Sequence, residues 1–267
     1  MKQRPDLLGI LQGDYRTPES RMPHLHKRFP GAVFYRLTAK EVLAGSRAGK
    51  AGRLTTEMYY RNAVGVFRAV EAVGGRIEMT GLDQVPAQGW PYVFVANHMS
   101  VLETFILPAM IYPLGEHVFV VKKSLTEYPV FRHIMHALDP IVVGRENPRE
   151  DLETVLRRGV EKLQQGISII IFPQRTRTAE FSPEKFNTIG IKLAKRAGVP
   201  VAPIALKTDF WGQGKLFKDF GGIFPEKTVR FQFGEPIRIS GKGQEEHERI
   251  VRFIGETYKR WEQFDRR

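Results

Sequence analysis

The sharpest chemical content of this chain lies in a histidine and a glutamate five residues apart. Val93-Phe94-Val95-Ala96 reads as a buried strand that ends in Asn97-His98, and a helix is expected to begin just beyond it, at Val101. In open α/β sheets, ligands collect where strands end and helices start. Histidine is the side chain best suited to move protons near neutral pH. A carboxylate that accepts its other ring N–H fixes the tautomer and stabilises the imidazolium as it forms. Residues five apart do not share a face of a regular helix. A His98–Glu103 pair therefore requires His98 before the first turn and Glu103 about one turn inside the helix. On spacing alone, a capping histidine beside an unrelated surface glutamate is the commoner arrangement.

Two further strand ends carry cations. Ile169-Ile-Ile-Phe172-Pro173-Gln174-Arg175-Thr176-Arg177-Thr178 is an apolar strand running into two arginines, a glutamine and two hydroxyls. Paired guanidinium groups suit a phosphate, because each offers a planar, permanently charged fork of donors. A solvated polar turn is the alternative. Pro140-Ile-Val-Val-Gly144-Arg145 is a shorter strand, also ending in arginine. Together the three strand ends predict a base beside an anion-binding pocket.

The elements that must position these groups alternate from Arg76 onward. Strands are expected at 77–80, 92–96, 118–121, 141–143, 167–172, 201–206 and 229–233. Helices are expected at 101–110, 128–138, 149–165, 183–197 and 245–263. The strand at 167–172 is almost continuously apolar, as expected when both faces are covered. The fold class is therefore α/β, a layered, largely parallel mixed sheet flanked by helices. Pro203, which lacks a ladder donor, predicts a sheet edge or a bulge within the strand at 201–206.

Before this unit, residues 1–54 read as a basic extension punctuated by Pro5, Pro18, Pro23 and Pro30, with at most a short helix at 39–44. Residues 55–267 form the main domain. At its start, Tyr59, Tyr60, Ala63, Val64, Phe67, Val70 and Val73 recur at helical spacing, with Thr55 or Thr56 as cap and Gly74-Gly75 as stop. That stripe either packs on the domain or lies on a membrane surface.

Composition sets the outer limits. The chain has 267 residues, enough for one large or two small domains. Cysteine is absent, which excludes a disulfide scaffold, a Cys-ligated zinc and a thiol nucleophile. The net charge is +12, of which residues 1–53, with 11 basic and 4 acidic side chains, supply +7. Such a surface attracts nucleic acid, anionic lipid or acidic partners. The chain shows no Gly-rich phosphate loop, no recognised nucleic-acid module and no apolar run long enough to span a bilayer. The N-terminus lacks the apolar core and cleavage site of a signal peptide. The expected setting is cytoplasmic, peripheral on the inner face of the cell membrane.

The order of these motifs resembles the lysophospholipid, or 1-acylglycerol-3-phosphate, acyltransferase family of the glycerolipid acyltransferase superfamily, from about Ile77 to Leu206. The family's N-H-x-x-x-x-D block reads Asn97-His98-Met-Ser-Val-Leu-Glu103. Its second block reads Lys122-Lys123-Ser124 and then Val142-Val143-Gly144-Arg145. Its F-P-E-G-T-R-S block reads Phe172-Pro173-Gln174-Arg175-Thr176-Arg177-Thr178, and its G-x-P-[IV]-x-P-[IV] block reads Gly198-Val199-Pro200-Val201-Ala202-Pro203-Ile204.

The resemblance implies acyl transfer from a thioester, acyl-CoA or acyl carrier protein, to a lysophospholipid hydroxyl. His98 would be the general base and Glu103 its orienting carboxylate. Arg145, Gln174, Arg175, Thr176 and Arg177 would bind the acceptor, with Arg145 and Arg177 on its phosphate. Oxyanion donors are expected among backbone N–H groups near the helix start. No metal or cofactor is implied. The partners would be the acceptor, the donor and an anionic membrane surface, with no nucleic acid. Glu103 stands for the commoner Asp, Gln174 for Glu and Arg175 for Gly, and Phe186-Asn187-Thr188-Ile189 lacks the family's basic F-K-x-G pattern. These departures lie mostly on the acceptor side and point to a different lyso-lipid or a glycolipid as acceptor. Other readings of the same residues are a non-catalytic lipid-binding relative and a hydrolase.

Overall fold

The computed structural model describes residues 4–19, 28–174, 176–214 and 219–266. Among them, eight strands form one sheet: β1 (Tyr15–Arg16), β2 (Ile77–Thr80), β3 (Val93–Ala96), β4 (His117–Lys122), β5 (Ile141–Val143), β6 (Ser168–Ile171), β7 (Val201–Lys207) and β8 (Val229–Phe233), in the spatial order β1-β2-β8-β7-β3-β6-β4-β5. The five strands from β7 to β5 are parallel. β8 runs antiparallel to β7, and β1 antiparallel to β2. The helices are α1 (Pro30–Lys50), α2 (Thr56–Ala72), α3 (Leu102–Ile111), α4 (Lys123–Glu127), α5 (Phe131–Leu138), α6 (Pro148–Gln164), α7 (Ile189–Ala197) and α8 (Gln244–Asp265).

The sheet has a core on each face. Phe94 and Ala96 of β3 point into the core shared with α1, α2 and α3. Val93 and Val95 point into the one shared with α6, α7 and α8. Alternation along one strand thus serves two layers of helices, and the expected α/β sandwich is the observed one.

Three expectations are corrected. The extension at 30–50 is a helix of 21 residues rather than a short one at 39–44. Pro30 sits at its first turn, where a missing N–H costs nothing. Its buried positions include Phe34, Thr38, Gly45 and Ala48, one face spaced at helical intervals but built largely of small residues. A Cβ on Gly49 would lie 2.4 Å from the His133 carbonyl, so glycine lets α1 approach α5 closely. Second, the apolar stripe of α2 is not a membrane face. Tyr60, Ala63, Val66, Phe67 and Val70 are buried in the domain. Third, the single helix expected over 183–197 is a short 3₁₀ turn followed by α7, because the Asn187 side chain accepts the Ile189 N–H (2.9 Å) and donates to the Pro173 carbonyl.

Pro203 is not at a sheet edge, since β7 lies between β3 and β8. The chain does bulge opposite it. Val201 bridges Ile237 while Ile204 pairs with Phe233, so three steps on β7 face four on the other chain. Pro203 offers only its carbonyl there, to Gly234 N–H at 2.9 Å.

The aromatic seat of α1 gives a test. Phe34 is fully buried, edge-on to both Phe210 and Trp211. Phe34→Ala should lower the unfolding free energy by about 3–5 kcal/mol in urea titration. A loss under 1 kcal/mol would mean that α1 is peripheral to the core.

Candidate active site

The site is assembled at the carboxyl ends of β3, β6 and β7. Asn97 holds two of these strands in register: its side chain donates to the Leu206 carbonyl (2.8 Å) and accepts the Leu206 N–H (2.9 Å). His98 follows at once, before α3. Its ring is stacked on Phe172, with centroids 4.3 Å apart.

His98 Nδ1 lies 2.8 Å from Glu103 Oε1. Glu103 occupies the first turn of α3 rather than a position one turn inside. The pair closes because residues 98–101 curl back over the carboxylate. Glu103 is completely buried and is hydrogen-bonded on every side. Oε1 also accepts the N–H of Met99 (2.7 Å) and of Ser100 (2.9 Å). Oε2 accepts the hydroxyls of Ser100 (2.8 Å) and Thr208 (2.6 Å). Burial alone would raise the pKa of this carboxyl. The bonds from His98, Thr208 and the backbone outweigh it and hold the pKa below the usual carboxylate range. The positive end of α3 acts in the same direction.

With Nδ1–H committed to an ionised Glu103, the lone pair of His98 is on Nε2. The side chain keeps 14% exposure. The expected contact between His98 and Glu103 is therefore present, and the alternative of an unrelated surface glutamate is overturned. The expected oxyanion donors are not available as a group, since Met99 and Ser100 N–H are bonded to Glu103 and Leu102 N–H to Ser100 Oγ.

The loop after β6 lies alongside. Gln174 is 2% exposed, and its amide is engaged by the protein itself. Its oxygen accepts the His98 backbone N–H (2.7 Å), and its nitrogen donates to Thr178 Oγ1 (2.8 Å). Thr178 N–H donates in turn to the His98 carbonyl (3.0 Å). Gln174 thus braces the histidine segment from beneath. Arg177 is mostly buried and paired with Asp219. Thr176 is exposed, and Arg175 lies outside the described residues. Arg145 is exposed at the end of β5, in the left-handed region at φ 67°, and its N–H and that of Gly144 donate to Asp151 at the start of α6. With β6 and β4 between them, β5 stands about 14 Å from β3 at the usual strand spacing. His98, Glu103 and Gln174 are therefore in direct contact, Arg177 stands in the loop that Thr178 ties to the His98 backbone, and Arg145 lies three strands along the same rim. Ser100, Thr208 and Asp219 escaped the sequence reading. Ser100 is the one with a local signal, three residues before the glutamate. Among the described residues, no group of three or more His, Cys, Asp or Glu side chains could hold a metal ion.

Comparison with known proteins identifies the family. The Acyltransferase family model matches residues 76–207. The 1-acyl-sn-glycerol-3-phosphate acyltransferase of Pseudomonas aeruginosa is 30% identical over 210 residues, covering 77% of each chain. The chain belongs to the 1-acyl-sn-glycerol-3-phosphate acyltransferase family. It is an O-acyltransferase. A chloroplastic enzyme of the same name from Brassica napus is 29% identical over 164 residues, 61% of this chain and 45% of its own length. The crystal structure of the 1-acyl-sn-glycerophosphate (LPA) acyltransferase from Thermotoga maritima superposes with a TM-score of 0.65 over 89% of this chain and 97% of that one, at 18% identity, a likeness of fold.

The depressed pKa of Glu103 has a consequence for stability. A carboxyl whose pKa is lower in the folded protein stabilises it above the unfolded value, and that contribution is lost as pH falls through the folded value. The unfolding free energy of the native chain should therefore fall more steeply on acidification than that of Glu103→Gln, measured by denaturant titration. Parallel slopes would mean that this charge is not stabilised by folding.

Proposed function

We propose that this enzyme transfers a fatty acyl group from a thioester, acyl-CoA or acyl carrier protein, to the free hydroxyl of a lysophospholipid. The single observation that carries the mechanism is the 2.8 Å contact of His98 Nδ1 with a buried, fully hydrogen-bonded Glu103. Nε2 accepts the acceptor's hydroxyl proton as that oxygen attacks the thioester carbonyl. The tetrahedral intermediate collapses, the carbon–sulfur bond breaks, and the proton on Nε2 passes to the departing thiolate. Glu103 stays ionised and stabilises the imidazolium between the two steps. Phe172, stacked on the ring, limits its rotation and keeps water from that face.

Arg177 is assigned the acceptor phosphate. It stands in the loop next to His98, and its present partner Asp219 is an oxyanion that a phosphate would replace. Thr176 precedes it in the same loop, and Arg145 adds positive potential along the rim. Gln174 acts on the acceptor indirectly, through the placement of His98. The reference acceptor is 1-acylglycerol-3-phosphate. The neutral Gln174 and the cationic Arg175, in place of the family's Glu and Gly, favour another lyso-lipid or a glycolipid headgroup. Acylation of 1-acylglycerol-3-phosphate well above every other lyso-lipid would defeat that preference.

The acceptor resides in a bilayer. Among the described residues, no helix is long and apolar enough to cross one. Because the α2 stripe is buried, α1 supplies the docking face: Arg36, Lys40, Leu43, Arg47 and Lys50 all face solvent at helical spacing. Each cation near an anionic leaflet contributes about 1 kcal/mol, so the four together suffice for reversible binding.

His98→Ala should lower kcat roughly 10²–10⁴-fold, read as acyl transfer from a long-chain acyl-CoA to lyso-lipid. Activity within threefold of the parent would sink the base assignment. The quadruple change of Arg36, Lys40, Arg47 and Lys50 to Gln should release the protein from phosphatidylglycerol vesicles, as raised salt should, without lowering thermal stability. Retention on the vesicles would refute docking through α1.

A further inference from the structure

Every bond to the Glu103 carboxylate but one comes from the segment 98–100, which moves with the glutamate itself. The exception is Thr208, 105 residues further along, at the end of β7. That strand end is unusually well fixed. Leu206 is bonded twice to Asn97. Lys207, 6% exposed, is held by Glu262 and Asp265 of α8, and Asp209 is paired with Lys227. Thr208 itself is completely buried. Its Oγ1 lies 2.6 Å from Glu103 Oε2 and 3.0 Å from Ser100 Oγ.

We propose that Thr208 is a positioning residue for the acyl transfer, its hydroxyl tying Glu103 Oε2 to the sheet so that Oε1 stays aimed at His98 Nδ1. A loop that curls over its own carboxylate can satisfy that carboxylate in several orientations. A donor anchored on a neighbouring strand selects one of them. Thr208 also joins the base to β7, and through Lys207 to the C-terminal helix, so the orientation of the dyad is set by parts of the chain far from its motif. The role needs a donor rather than a particular shape. Valine would fill the same space and leave Oε2 one bond short in a place no water reaches, a cost a charged group does not absorb easily. This inference rests on His98 being the base, and the test separates the two.

The test uses the full-length enzyme with a long-chain acyl-CoA and 1-acylglycerol-3-phosphate. Thr208→Val should lower kcat on the order of tenfold, the scale of one hydrogen bond to a charged group, with KM for both substrates unchanged within twofold. In proton NMR, the low-field Nδ1–H resonance of His98, identified by its absence in His98→Ala, should weaken or move upfield. Thr208→Ser should restore both the rate and the resonance. An unchanged kcat in Thr208→Val overturns the proposal. So does an equal loss in Thr208→Val and Thr208→Ser with the resonance intact, which would mark a role in packing alone. If Thr208→Val does not fold, Thr208→Cys decides: a weaker donor should lower the rate and shift the resonance, and behaviour identical to Thr208→Ser refutes the idea. Full activity in His98→Ala would instead remove the base assignment on which all of this stands.

Discussion

A charge buried away from water is the constraint around which the site is built. An ionised carboxylate in the interior costs several kcal/mol unless its lone pairs are satisfied. Glu103 is satisfied by two backbone N–H groups, two hydroxyls and the imidazole of His98. Meeting that demand dictates the local structure. The chain between β3 and α3 must curl, α3 must begin at Leu102, and β7 must end beside β3. The paired bonds between Asn97 and Leu206 are what keep those two strand ends level. A buried anion is costly to keep, and here it fixes the ring of His98 through the 2.8 Å contact with Nδ1.

The two halves of the site are built differently. On the base side nearly every polar atom has a partner within the protein, down to Gln174, which binds the backbone of His98. Along the rest of the rim, Thr176 and Arg145 are exposed to solvent, and Arg177 is paired with Asp219. Two departures of this chain from its family's pattern, Glu103 and Gln174, fall beside the histidine and are bonded to it. The curl of residues 98–101 absorbs the extra methylene of Glu103, because the carboxylate is gripped by backbone groups on its own loop.

The N-terminal helices divide two tasks. α2 turns its aromatic and aliphatic stripe into the core, where Phe67 and Tyr60 are fully buried. α1 buries a face of mostly small residues and turns its lysines and arginines outward. Burying large apolar side chains contributes roughly 1.5–3 kcal/mol each, which holds that stripe in the core. The positive face is left to solvent.

Most of the frame was legible in the sequence. Continuous apolar runs marked β3, β6 and β7 as strands covered on both sides, and the change from period two to period three or four marked the helices between them. α1 was not legible, because Gly45, Ser46 and Ala48 pack by being small, and smallness leaves no hydrophobic period to read. The residue types at 97–103 named a base and a carboxylate, and the strand-end arginines named an anion site. Whether the histidine and the glutamate met was not legible, since five residues of spacing fit a touching pair and a separated one equally well. Sequence determined which groups were available and on which strands they stood, because those follow from local pattern. Tertiary structure decided that Oε1 meets Nδ1, that Thr208 closes the other side and that Arg145 stands three strands away, because each depends on where strands distant in the chain end beside one another.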